Sequence, residues 1–214
     1  MSSTSERGAS PRLELFGLDK PAMTRRAGFG RICGSILLAG LFASAAGCRA
    51  SGADLYPLFD RQDLVTQHNL RIGSRMTAQT TNYIGESILI PRCSPVELVS
   101  LNQKQLQFRL RQSGVVYTLQ FIRKYTPGPI ASLVSRTFGP DCEPIDTLSA
   151  VDREGIETAS IIEGMSKKGV VLAVGYPPDH ATPSLEGDVW KYWKGRVDTL
   201  ELTFENGYLV EIHD

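Results

Sequence analysis

Leu200-Glu201-Leu202-Thr203-Phe204-Glu205-Asn206-Gly207-Tyr208-Leu209-Val210-Glu211-Ile212 is the most legible stretch of this chain. Leu200, Leu202 and Phe204 alternate with Glu201, Thr203 and Glu205, the period of a strand with one buried face. Asn206-Gly207 suits the two positive φ angles of a type I′ turn, so Tyr208, Val210 and Ile212 return along a partner strand. Upstream, Val189–Lys194 reads as a third strand that directs Trp190 and Tyr192 to one face and Trp193 to the other. Two helices are predicted before it. One covers Glu154–Ile162; the other is capped by Ser166, carries Val170 and Val174 one turn apart, and stops at Gly175 and Pro177-Pro178. Gly169 stands where a capping box would place Glu. Helix, helix and three strands make a two-layer α+β module, ααβββ in order, over residues 152–214.

A different pattern precedes it. Ser87–Ile90 before Pro91, the segment about Val96, Leu106–Arg111 and Val115–Phe121 read as short strands. Leu106, Phe108 and Leu110 fall on one face, with Gln107, Arg109 and Arg111 on the other. These strands predict a small, curved antiparallel sheet or barrel. Pro127-Gly128-Pro129 ends it, and Ile130, Leu133, Val134 and Phe138 recur at helical spacing in a closing helix. The first module is thus expected over 64–140 and an acidic linker over 141–151.

Charge divides along the same boundary. Residues 49–136 hold 11 basic and 5 acidic side chains, and residues 137–214 hold 6 and 15. Two modules of opposite sign can attract each other or face different partners. No dense Lys/Arg tract marks a nucleic-acid partner, and none is expected. Cys93 and Cys142 form a candidate disulfide, two buried free thiols being the alternative.

The beginning of the chain concerns placement, not fold. Arg25, Arg26 and Arg31 precede the uncharged apolar run Ile32–Ala46, then Gly47 and Cys48. A basic segment, an apolar run too short to span a bilayer and small residues before a cut site make a signal peptide over 1–47. Met23 could be its true start. Thr24–Phe29 faintly resembles a twin-arginine export signal, although ordinary secretion explains the same arginines. Ala45-Ala46-Gly47-Cys48 resembles the lipobox of bacterial lipoproteins, apart from Ala45 where Leu is preferred. That resemblance implies cleavage before Cys48, acylation of its thiol and a lipidated tether over 48–63. Acyl chains contribute about 0.8 kcal/mol per buried CH₂ to membrane binding. Arg49, in place of the Asp that retains lipoproteins in the inner membrane, implies the outer membrane and its periplasmic face.

Two further resemblances concern the modules. Ile162-Glu163-Gly164-Met165-Ser166, Val174-Gly175-Tyr176-Pro177, Trp190-Lys191-Tyr192-Trp193 and Asn206-Gly207 resemble the SmpA/OmlA, or BamE-like, lipoproteins. Gly169, usually acidic in that family, and the insertion Pro178–Asp188 depart from its pattern. The family implies an α+β fold and a non-enzymatic accessory role in outer-membrane assembly. Asn69-Leu70-Arg71, Ile90-Pro91 and the following hairpin are weakly similar to bacterial SH3-like modules, which implies peptide or peptidoglycan binding.

Catalytic motifs are absent from the sequence, and His68, His180 and His213 have no metal-ligand spacing. Asp179, His180 and Ser184 sit too close along one loop to converge as a triad. No catalytic residue, metal or cofactor is therefore expected beyond covalent lipid on Cys48. The candidate partner-binding residues are Tyr176, Pro177, Pro178, His180 and Trp193, since prolines stiffen a contact loop and aromatics anchor interfaces. The leading expectation is a membrane-anchored scaffold with an envelope-protein partner; the alternative is a cell-wall or peptide-binding lipoprotein.

Overall fold

In the computed structural model the described residues run from Tyr56 to Asp214. The signal peptide, Cys48 and the first part of the tether lie outside them. After a one-turn helix α1 (Tyr56–Phe59) come β1 (Val65–Thr66), β2 (Leu70–Ile72), β3 (Thr77–Gln79), β4 (Ile88–Ile90), β5 (Val96–Leu101), β6 (Gln105–Leu110) and β7 (Val116–Gln120). Helix α2 (Ile130–Thr137) then leads directly into β8 (Phe138–Gly139). The period-two reading holds where it is strongest: Leu106 and Phe108 are fully buried, and Leu110 is half-buried at the strand end. Leu133 and Val134 of α2 complete the same core, in which the Phe108 ring lies 4.9 Å from Phe138 and 5.7 Å from Tyr117.

No barrel closes among the described residues. The strands divide into a four-stranded sheet, β3-β7-β6-β5, and two-stranded ladders β2-β4 and β1-β8. The sheet is antiparallel except for β3 and β7, which run parallel. The path after β3 supplies the physical reason. Asn82, at φ 51°, turns the chain away, and Ile84 and Gly85 donate their N–H groups to Trp193 O and Lys194 O at 2.9 and 3.0 Å. The backbone after β3 thus covers an edge of the second sheet instead of continuing the first.

That second half comprises α3 (Ala150–Thr158), α4 (Lys167–Val174), β9 (Val189–Trp193), β10 (Thr199–Glu205) and β11 (Tyr208–His213), with strand order β11-β10-β9. Helical Ile156, Val170 and Val174 and strand residues Trp190, Tyr192, Leu202 and Phe204 share one core, giving a mixed α+β structure. Glu205 pairs with Tyr208 across Asn206 and Gly207, whose φ angles of 52° and 85° are those of a type I′ turn. Leu209 pairs with Phe204 and is buried between exposed Tyr208 and Val210, and the bulge opposite Thr203 and Phe204 then shifts the register so that Ile212 comes opposite Leu202.

Helix α3 begins at Ala150, four residues before the expected Glu154 and inside the expected linker. Ser149 Oγ accepts the Asp152 N–H at 3.0 Å, a cap strong enough to start the helix there. It ends where Ala159 adopts φ 50°, so Ser160–Ile162 are not helical. Helix α4 is capped as expected, with Ser166 Oγ accepting the Gly169 N–H at 3.0 Å.

The carboxylate missing from that cap comes from the neighbouring helix. Buried Asp152 accepts the Ser166 N–H at 2.8 Å and the Ser166 hydroxyl at 3.1 Å, the role a capping-box Glu would take. Gly169 is required for the approach, because a Cβ there would stand 1.9 Å from Asp152 Oδ1.

Asn69 joins the two halves. Its Nδ2 donates to Ile156 O of α3 at 2.8 Å and to Ala173 O of α4 at 2.9 Å, while its Oδ1 accepts the Arg92 N–H at 2.8 Å. Both carbonyls belong to the last turns of their helices, where intrahelical partners run out. Removing the amide leaves Ala173 O and the Arg92 N–H without a partner and Ile156 O with only the Ala159 N–H at 3.3 Å, and an unpaired buried group costs about 1–3 kcal/mol. Asn69→Ala is expected to lower the unfolding free energy in urea by about 3 kcal/mol or more. Asn69→Asp is expected to lose still more, because an oxygen would then face two carbonyl oxygens. Gly169→Ala is expected to cost about 2–3 kcal/mol by overpacking against Asp152.

Candidate functional site

The residues expected at a contact surface begin where α4 ends. Gly175, at φ 83°, passes so close to the first half that a Cβ would meet the His68 ring at 2.9 Å and Asn82 Nδ2 at 3.0 Å. Asn82 Nδ2 donates to Val174 O at 2.8 Å and Tyr176 O at 2.9 Å, fixing the chain beyond the helix. Tyr176 is half-buried, edge-on to His68 at 5.9 Å, with the Arg136 guanidinium 5.1 Å from its ring centre. Pro177 and Pro178 are buried. Tyr176, Pro177 and Pro178 therefore serve the seam between the halves and are not an open contact surface. Proline periodicity along a chain reports stiffness and carries no information about which side solvent occupies.

His180 and Trp193 have a different setting. His180 is exposed, its ring 4.5 Å from Tyr125 and 6.1 Å from Trp193, and its N–H donates to Tyr125 O at 3.2 Å. Trp193 lies on the outer face of β9, half-buried, opposite fully buried Trp190 and Tyr192. Tyr125, His180 and Trp193 thus form an aromatic strip contributed by both halves. Lys124 Nζ lies 5.1 Å from the Tyr125 ring centre. Sequence reading missed Tyr125, which follows the first sheet and meets His180 only through tertiary packing.

The insertion Pro178–Asp188 holds this arrangement in place. Thr182 is buried, and its Oγ1 accepts the Lys191 N–H at 2.9 Å, so the insertion occupies the β9 edge beside Ile84 and Gly85. Such an edge would otherwise offer unpaired backbone groups to another chain. Asp179 pairs with Arg136 at 3.0 Å, His180 lies in the aromatic strip, and Ser184 Oγ accepts the Glu186 N–H at 3.2 Å. The three polar residues of the loop are committed separately and do not form a triad.

His68 is the buried titratable group at the seam, beside a cavity of about 50 Å³ also lined by Arg71, Arg136 and Asp179. That volume is well below the roughly 300 Å³ at which small-molecule sites begin. Desolvation pushes the His68 pKa down from 6.5, only partly offset by the hydrogen bond to Asn69 O. The latter is 2.9 Å from Nδ1, which fixes the neutral tautomer with Nδ1 as donor. Burial raises the Tyr192 phenol well above 10.0, and its hydroxyl donates to Gly175 O at 2.8 Å.

Cys93 and Cys142 are joined as a disulfide, with Cα atoms 5.2 Å apart and a sequence separation of 49. The bridge ties the segment after β8 to the β4–β5 connection, where the Arg92 guanidinium also donates to Glu143 O. No group of three or more potential metal ligands occurs among the described residues, and none of their helices is long and apolar enough to cross a membrane. Compared with known proteins, the chain matches no family model, no curated protein and no solved structure.

Two outcomes follow from the seam chemistry. Below pH 6.5 the unfolded chain binds a proton at His68 that the folded chain resists, so stability falls as pH drops through that value. Urea unfolding between pH 7.5 and 5.5 is expected to show this decline, and His68→Gln to flatten it. Reduction of Cys93–Cys142 is expected to lower stability by about 4 kcal/mol, the chain-entropy cost of a loop of roughly 50 residues.

Proposed function

We propose that this chain is a non-enzymatic, lipid-anchored protein that faces the periplasm and serves as an accessory or scaffold in cell-envelope or outer-membrane assembly. The observation that carries the reading is the Tyr125, His180 and Trp193 strip, placed across two halves that a buried amide locks together. Aromatic groups on a pre-organised surface bind without first losing much conformational entropy. The α-α-β-β-β order of the second half supports kinship with BamE-like lipoproteins. Ala45-Ala46-Gly47-Cys48 supports attachment through acyl chains, and Arg49 supports the outer membrane. Departure from that family at Gly169 is accommodated by Asp152, which supplies the cap carboxylate from α3.

The test uses the full chain in its native envelope. A photoreactive residue at His180 is expected to crosslink outer-membrane assembly subunits, and His180→Ala with Trp193→Ala to reduce their co-purification by about tenfold, as for a pair of interface anchors. Retention on purified peptidoglycan without such subunits would favour the cell-wall reading instead. Mass spectrometry is expected to find an acylated Cys48 at the amino terminus; an unmodified terminus overturns the anchor.

A further inference from the structure

A second site is a polar groove bordered by the segment that leaves β3. Its volume is about 470 Å³, within the size range of ligand sites. The outer face of the four-stranded sheet forms its floor. Gln79 pairs in register with Gln120, and Gln120 with Gln105, so three amides form one row across β3, β7 and β6. Strand spacing of about 4.8 Å makes that row roughly 10 Å long. Thr77 and Thr118 form the next row. Directly behind these rows, Ala78, Leu106 and Leu119 are buried, which holds the floor rigid.

The groove walls carry charge. Arg75 stands in the β2–β3 turn, Arg196 in the β9–β10 loop, and Tyr83 and Glu86 on the β3–β4 connection. Eight of the ten described arginines donate a guanidinium hydrogen bond: Arg61, Arg71, Arg92, Arg109, Arg111, Arg123, Arg136 and Arg153. Arg75 and Arg196 are the two that do not among the described residues, and both line this groove. The side-chain amides of Gln105 and Gln120, the Thr118 hydroxyl and the Tyr83 phenol likewise have no hydrogen-bond partner among the described residues. Unused donors and acceptors therefore line one groove, and the two arginines without a hydrogen bond among the described residues both stand in it.

Their chemistry selects a ligand. An amide offers both a donor and an acceptor, the combination that a sugar hydroxyl satisfies from both sides. A guanidinium fork matches a carboxylate in two parallel hydrogen bonds. A ring such as Tyr83 can cover the apolar face of a pyranose. The floor has no apolar pocket for a peptide side chain. Two arginines against one Glu86 leave the site net positive. We propose that this groove binds an acidic oligosaccharide, a run of hydroxylated rings bearing a carboxylate. The inference goes beyond the scaffold reading and does not depend on it, since none of these residues belongs to the aromatic strip.

Calorimetric titration of the full chain in detergent with tetragalacturonate tests it, with neutral chitotetraose, tetraglutamate and inorganic phosphate as comparisons. Tetragalacturonate is expected to bind most tightly and more weakly as salt is raised. Arg75→Gln with Arg196→Gln is expected to weaken it by about tenfold or more, the scale of a lost charge-assisted pair. Gln120→Leu is expected to weaken it without removing the salt dependence. The unfolding midpoint is expected to remain unchanged, because these side chains are at the surface. Absence of tetragalacturonate binding, equal or tighter binding of tetraglutamate or phosphate, or an unaltered affinity in the double arginine variant overturns the proposal.

Discussion

The two Nδ2 hydrogens of Asn69 each reach a helix end, and this single amide sets the relation between the halves. It is chemically over-determined. Reversing the amide would set its oxygen against the carbonyls of Ile156 and Ala173 and its nitrogen against the N–H of Arg92. Asn82 repeats the device at Val174 and Tyr176, so the C-terminal end of α4 is held by two side chains from the first half. Orphaned carbonyls at a helix terminus need partners when water is excluded, and here a different module supplies them. Hydrophobic area gives each half its core; these amides fix the angle at which the cores meet.

Opposite net charge is the rival candidate for that role. Magnitudes decide otherwise. Arg136 and Asp179 meet across the seam but remain 40% and 29% exposed, and pairs in that setting contribute about 0–1 kcal/mol. A stranded buried amide partner costs about 1–3 kcal/mol for each group left unpaired. Charge therefore biases the approach of the halves, while the short-range amide geometry selects the final register.

Those differences explain which parts were legible along the chain. Alternation over Leu200–Phe204 with Asn206-Gly207 encodes a hairpin within thirteen residues, and the structure contains it. Leu106 and Phe108 were equally plain, because burial on one face leaves a period-two record. The three-residue strand β3 has no such record, and its parallel pairing with β7 depends on contacts 41 residues apart, Thr77 with Thr118. The start of α3 was encoded locally by Ser149 and Asp152, but the acidic, proline-containing segment before it masked the cap. Gly169 looked like a missing capping residue; its meaning became visible only with Asp152 beside it. Tyr176, Pro177 and Pro178 had the composition of a contact loop, and composition does not distinguish a contact with another protein from a contact within this one.

The insertion Pro178–Asp188 now has a structural role of its own. Two segments seal the β9 edge: Ile84 and Gly85 from the first half, and Thr182 from the insertion. Gly85 approaches so closely that a Cβ would stand 2.4 Å from Lys194 O. Sealing the edge removes strand addition as a means of binding at β9. Recognition near this strand must then use side chains above the backbone, which is where Trp193 and His180 stand. The same segment, Tyr83–Gly85, pairs with the end of β9 and contributes Tyr83 to the amide-floored groove, so one short stretch both couples the halves and helps to build a second, chemically different surface.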